Sequence, residues 1–148
     1  MNGAYSFTVW GTAAPQGSKR HVGNGVMRES SPRVYTWRDD VRCIALENLP
    51  AQWDPRSAIR LDLTFCFQRP NSHYGRKAGI LYLKRNAPPE PTSGRLGDLD
   101  KLQRAIFDAL TGIVYADDRQ VVEVHASKVY LSEGASLPYT SITITPLQ

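Results

Sequence analysis

Cysteine, histidine and long apolar runs are all scarce in this 148-residue chain. The two cysteines, Cys43 and Cys66, sit in apolar-periodic segments without metal-ligand spacing. This argues against a disulfide framework and fits a reducing cytoplasm. His21 and His73 fall in presumed loops with no ligand-like spacing to each other, and His125 takes the outward parity of a strand. No apolar run approaches the roughly 20 residues that a membrane span needs. The opening "MNGAYSFTVW" lacks the basic-then-apolar order of a secretory signal. No internal repeat is present. Acidic residues are also in deficit, 14 against 18 lysines and arginines, for a net charge of +4 and a pI near 9.2. That excess admits a polyanionic partner without requiring one.

What remains is enough for one folded domain: 41% apolar and 22% charged residues in a length that suits a single core. "YSFTV" alternates as a half-buried strand does, and "APQGSKRHVGNG" reads as a loop or loose hairpin. "RVYT" is expected as a short return strand. "TWRDDVRCIALENL" predicts a helix, with Thr36 and Asp39 as a capping box and Trp37, Val41, Ile44, Ala45 and Leu49 on one face. "AIRLDLTFCF" is the clearest strand, with Ile59, Leu61, Leu63, Phe65 and Phe67 pointing one way. Residues 69–95 predict a basic, mobile connection, with "GILYLK" as a possible short strand inside it. A helix over 99–111 follows, stopped by Gly112. "QVVEVHASKVYL" and "YTSITIT" predict two strands joined as an antiparallel hairpin. The order implies an α+β domain: a mixed sheet with two main helices packed on it.

Four carboxylates flank the second helix. Asp98 and Asp100 open it in "GDLDKLQRAIFDAL", and Asp117 and Asp118 follow its end in "YADDRQVV". Each alone has an ordinary use. One aspartate caps a helix for about 1 kcal/mol. Asp100 and Arg104 have i,i+4 spacing, worth about 0.2–0.5 kcal/mol. Asp117 and Asp118 polarise a turn. Together they are harder to explain, because one cap needs one carboxylate and close like charges repel unless a cation lies between them. If "GIVYA" runs extended, it covers much of the way back along the helix and brings the two pairs together. An all-oxygen site of that kind suits Mg²⁺ or Mn²⁺ and the chemistry of phosphates.

The stretch "GDLDKLQRAIFDALTGIVYADDRQVVEVHASKVY" resembles the core motif of the RusA family of Holliday-junction resolvases: Asp-Leu-Asp opening a helix, a "DAL(T/N)G" helix end, then Asp-Asp-x-Gln-Val entering a strand. "FTVWGTAAPQGSKR" resembles the family's first strand and basic turn, and "RVYTWRDDVRCIA" its following strand and helix. The likeness spans most of the chain and is loosest over 69–95. It implies that Asp98, Asp100 and Asp118 are the metal-binding catalytic carboxylates, with Asp117 ranking below Asp118. The family usually places a lysine on the first turn of this helix, where this chain has Arg104; a lysine stands instead at Lys101. Arginine stays charged and grips phosphate with a planar fork, so Arg104 suits a phosphate clamp rather than a general acid.

The resemblance implies a homodimeric, Mg²⁺-dependent endonuclease (Mn²⁺ a possible substitute) acting on four-way DNA junctions in recombination or repair, in the cytoplasm of a bacterium or phage-infected cell. DNA-contacting candidates are Lys19, Arg20, Arg69, Arg76, Lys77, Lys101 and Lys128. Lys128 interrupts the apolar parity of Val122, Val124 and Ala126: either that face reaches solvent there or the lysine meets a phosphate at the rim of the site. Arg28, Arg33, Arg38 and Arg42 extend the first basic cluster. Rival readings are a nuclease for other branched DNA and a junction-binding protein that does not cut.

Overall fold

The computed structural model describes residues 3–17, 19–21, 23–25, 27–29 and 32–147, without the side chains of 19–21 and 27–29. The elements are β1 (Tyr5–Trp10), β2 (Lys19–His21), β3 (Met27–Glu29), α1 (Arg33–Asn48), β4 (Ala58–Phe67), β5 (Tyr74–Lys77), β6 (Ile80–Leu83), α2 (Leu99–Leu110), β7 (Val121–Tyr130) and β8 (Tyr139–Leu147). Single turns of 3₁₀ helix occur at Asn71–His73, Gly94–Leu96 and Asp118–Gln120. The main sheet has the order β1-β8-β4-β7. β8 runs antiparallel to both β1 and β4, and β7 runs parallel to β4. The sheet is therefore mixed, and the domain is α+β.

Period-two patterning decides which face is covered. Phe7 and Val9, Leu61, Leu63 and Phe65, and Ile142 and Ile144 turn to the same core, where Trp37, Val41 and Ala45 of α1 and Leu102, Ile106 and Leu110 of α2 meet them. The other face is polar except at one end, where Trp10, Tyr139 and Cys66 meet. Thr143 pairs in register with both Ser6 and Asp62, Ser6 and Thr143 share a 2.7 Å hydroxyl contact, and Arg60 bridges Asp62 at 3.0 Å and Glu123 at 3.8 Å. Leu102, Ile106 and Leu110 are fully enclosed; truncating any one to alanine costs about 2–5 kcal/mol. Among the described residues no helix is long and apolar enough to cross a membrane.

Three local expectations are overturned. "RVYT" is the first turn of α1, not a strand: Val34 and Trp37, three apart, are both buried on the helix's inner face. Four residues were too few to separate the two periods. Thr36 accordingly lies inside the helix and forms no cap; Pro32 holds the N-cap position, tolerable because the first helical N–H groups have no partner in any case. The last two long strands, β7 and β8, are not a hairpin. β4 lies between them, and the 131–138 loop crosses its end, where the Leu131 N–H bonds the Phe67 carbonyl at 2.9 Å. β4 is the most continuously apolar strand and takes a neighbour on each side. Its parallel pairing with β7 requires a long crossover, and residues 68–120 supply it.

The crossover holds its own two-stranded sheet, β5 with β6, closed by Ala78 and Gly79 at φ 53° and 79°. Both values are left-handed, as a two-residue primed turn requires. The strand expected in "GILYLK" is β6, and its partner "YGRK" carried no periodic signal.

Candidate active site

Asp98 occupies the N-cap position of α2, yet its side chain makes no cap hydrogen bond. It is 69% exposed and lies 3.8 Å from the Lys101 ammonium. Asp100 is exposed in the first turn, where the helix dipole favours negative charge. The Asp100–Arg104 pair suggested by spacing is not formed, and among the described residues the Asp100 side chain has no hydrogen-bond or ion-pair partner. Neither carboxylate is therefore explained by capping.

The segment that aims them is tightly fixed. Gly97 is buried at φ 94°, and a Cβ there would stand 2.7 Å from two carbons of Pro15. The Gln16 N–H donates to the Lys101 carbonyl at 3.0 Å. Gly17 lies against the Arg104 guanidinium, which is otherwise exposed. From β7, half-buried Lys128 donates to the Gly97 carbonyl at 3.1 Å, one residue before Asp98. Loop 13–17, α2 and β7 thus converge on the two aspartates.

Asp117 and Asp118 sit at the far end of the same helix. After the C-cap Thr111, Gly112 adopts φ 86° and its N–H returns to the Tyr115 carbonyl at 2.7 Å. The Ile113 and Val114 N–H groups both reach the Leu110 carbonyl, at 3.1 and 3.0 Å. Trp53 donates to the Val114 carbonyl at 2.8 Å, and the Ala116 N–H to the Pro55 carbonyl at 3.2 Å. The segment expected to run extended is therefore a closed turn. Tyr115 is fully buried in it, and its hydroxyl donates to the Phe107 carbonyl at 2.9 Å. Burial first, and then the negative charges of Asp118 and Asp108, hold that hydroxyl far above its ordinary range. It stays protonated and acts as a donor, not a base.

Within the acidic pair the two carboxylates differ. Asp117 caps the 3₁₀ turn, accepting from the Arg119 N–H at 2.9 Å, while the Gln120 side chain accepts from the Asp117 N–H at 3.0 Å and ties the turn to Pro55 and Ser57. Asp118 has no such engagement. It opens on a shallow cleft of about 280 Å³ shared with Asp108, Thr111, Ala116 and Asp117. Asp108 was not singled out from sequence. It is held by the Gln16 side-chain amide, whose oxygen accepts from Arg38 at 2.8 Å, with Arg38 also 3.8 Å from Asp108. A glutamine in a turn-rich loop gives no sign of such a contact, which joins residues 92 positions apart.

The 12 residues of α2 span about 18 Å. One chain thus keeps Asp98 and Asp100 at one end and Asp118 at the other, and among the described residues no group of three or more acidic, histidine or cysteine side chains is placed to hold a metal ion. The three carboxylates are hard oxygen donors suited to Mg²⁺ in kind, but a single chain does not gather them.

Of the basic candidates, Lys19 and Arg20 lie in β2 and their side chains are outside the described residues, as is that of Arg28. Half-buried Arg38 and Arg42, and exposed Arg33, are engaged in structural contacts. Arg33 donates to the Ala13 carbonyl at 3.3 Å, and Arg42 caps α2 through the Ala109 and Thr111 carbonyls at 2.9 and 3.1 Å. Arg69 stacks 4.3 Å over the Tyr130 ring and donates to the Pro88 carbonyl at 2.7 Å. Arg76 and Lys77 are exposed at the end of β5.

A family model described as Endodeoxyribonuclease RusA matches residues 11–145. No match is found among curated proteins. The matched stretch runs from the end of β1 into β8 and includes both ends of α2, the closed turn between them and the small second sheet. Coverage that broad, with the acidic pairs and their supporting glycines inside it, places the chain in the RusA endodeoxyribonuclease family.

Proposed function

We propose that this protein is a Mg²⁺-dependent endonuclease that resolves four-way DNA junctions as a homodimer, leaving 5′-phosphate and 3′-hydroxyl ends. One observation supports this most directly. In a chain of an endodeoxyribonuclease family, Asp98, Asp100 and Asp118 are exposed and serve no cap, yet they stand at opposite ends of one helix. A two-fold mate laid against α2 in the reverse direction supplies the missing end. Asp98 and Asp100 of one subunit then face Asp118 of the partner subunit, twice per dimer. Exposed Val122 and Val124 on the edge strand β7, with half-buried Phe107 on α2, offer apolar surface for the contact. A symmetric dimer also presents two identical sites to a junction of approximate two-fold symmetry.

Bound there, Mg²⁺ would polarise the scissile phosphate and steady the leaving oxygen. The chain's own cations have separate tasks. Arg104 remains charged and clamps phosphate. Lys128 fixes the Gly97 carbonyl and the approach to Asp98, and Lys101 offsets the charge of Asp98. Recombination or replication-fork repair in the cytoplasm of a bacterium or phage-infected cell is the setting this reading implies. A labelled four-way junction tests it. Cleavage with Mg²⁺ and none with chelator is the expected result, whereas equal cutting of linear duplex, or cutting that survives chelation, contradicts it.

A further inference from the structure

The β5–β6 hairpin exposes every large apolar side chain of one strand: Ile80 is 71% exposed, Leu81 56%, Tyr82 49% and Leu83 42%. Ordinary surfaces scatter such residues singly; four in succession mark a place where something else docks. The register puts Tyr74, Arg76, Leu81 and Leu83 on one face and Gly75, Lys77, Ile80 and Tyr82 on the other. Neither face rests fully on the body of the protein. A cleft of about 570 Å³, lined by Arg69, Arg76 and Leu81 on one side and by residues 131–135 on the other, separates the first face from the 131–135 loop.

The charge around these apolar residues identifies the partner. From Arg69 to Arg85 there are five cations (Arg69, Arg76, Lys77, Lys84 and Arg85) and no aspartate or glutamate. A second copy of the hairpin meeting this one would set cation against cation. A polyanion with exposed apolar rings meets both the charge and the apolar surface, and unstacked nucleic-acid bases are that partner.

The hairpin is also well anchored and well placed. An isolated two-stranded hairpin is marginal in water, but this one is pinned at its base. The Lys84 N–H bonds the His73 carbonyl at 2.9 Å, and His73 packs edge-on to Tyr130 with ring centres 5.5 Å apart. Above them, the Tyr82 ring closes over Gly75, where no side chain fits. The base adjoins the Asp98 end of α2: His73, Pro88 and Tyr130 share a cavity of about 470 Å³ with Arg95 and Leu96, which lead directly to Asp98.

We propose that this hairpin is a wedge that enters the branch point of a DNA junction. Its apolar tip, Ile80 and Leu81, parts stacked bases, and Arg76 and Lys77 hold the flanking phosphates. The proposal rests on the resolvase reading above and adds how the branch point is recognised.

The test uses the full chain in chelator, so that binding is read without cutting, and a four-way junction with 2-aminopurine beside the branch point. The wild-type protein is expected to raise 2-aminopurine fluorescence and to prefer the junction over duplex. Ile80→Ser with Leu81→Ser, at two exposed positions, should abolish the fluorescence rise and weaken junction binding about tenfold, as expected when an apolar wedge between base steps is removed. Duplex binding should change little. Ile80→Leu with Leu81→Ile should restore both signals. Arg76→Ala with Lys77→Ala should weaken junction and duplex alike and flatten the salt dependence. A serine variant with undiminished fluorescence and preference overturns the wedge. So does one that turns a dimer into a monomer in sedimentation, because the patch is then a subunit contact. If the wild-type protein cuts junctions and only the wedge signals fail, the resolvase reading stands alone. If it neither prefers nor cuts junctions, both fall.

Discussion

A single backbone position, Gly97, fixes how α2 begins and so how Asp98 and Asp100 are presented. Its φ of 94° lies in a region that side chains rarely adopt, and an added Cβ would meet Pro15 at 2.7 Å. Gly97→Ala is therefore expected to destabilise the fold by roughly 1–3 kcal/mol and to displace either loop 13–17 or the start of α2. Because Lys128 also grips this residue, cleavage should fall further than stability alone accounts for. A urea melt should move to lower midpoint with unchanged slope; an unchanged midpoint would show that the loop gives way freely. The sequence marked Asp98 and Asp100 at this end, because two carboxylates exceed what one cap uses. It did not mark Gln16 or Asp108, whose pairing exists only once residues 92 positions apart are packed together.

At the scale of elements, the closed turn after α2 decides the character of the site. An extended course for residues 112–116 would carry Asp117 and Asp118 back toward Asp98 and Asp100 of the same chain. Buried Tyr115, Gly112 and the Trp53 bond hold the turn shut instead. Tyr115 carries a pH signature. Its hydroxyl titrates near pH 10 when the chain is unfolded and well above that when folded, raised first by burial and then by Asp118 and Asp108. A pKa raised on folding gives stability that is fully present below pH 10 and is lost as pH climbs toward the folded value. Tyr5, pushed up to about 12 by burial, acts in the same sense. Unfolding free energy should thus decline above pH 10, and less steeply in Tyr115→Phe. Equal alkaline slopes for the two proteins would contradict this account of the turn.

Elements were legible where a period ran long enough. β4 alternates over ten residues, and the apolar stripe of α2 recurs through its full length, so both were readable with nearly correct bounds. "RVYT" was too short to separate strand from helix. β5 was unreadable because "YGRK" lies on a two-stranded sheet with little burial, so no alternation was imposed on it. The β7–β8 pairing failed for a different reason. Neighbours in sequence need not be neighbours in a sheet, and the insertion of β4 is a choice of the whole core.

For the molecule as a whole, the proposed dimer would place catalysis between subunits, with the ends of α2 from two chains making one site. Asp98→Asn and Asp118→Asn keep side-chain volume and remove charge, so each homodimer should bind junctions and fail to cut them. The direct measurement is a mixed dimer, co-expressed with different tags and purified through both. If sites form between subunits, one of its two sites has lost both aspartates and the other is intact. The mixed dimer is then expected to regain single-strand nicking of a four-way junction, at about half the wild-type number of cuts per complex. A mixed dimer as inactive as its two parents would contradict the shared site and place the carboxylates of each site within one chain.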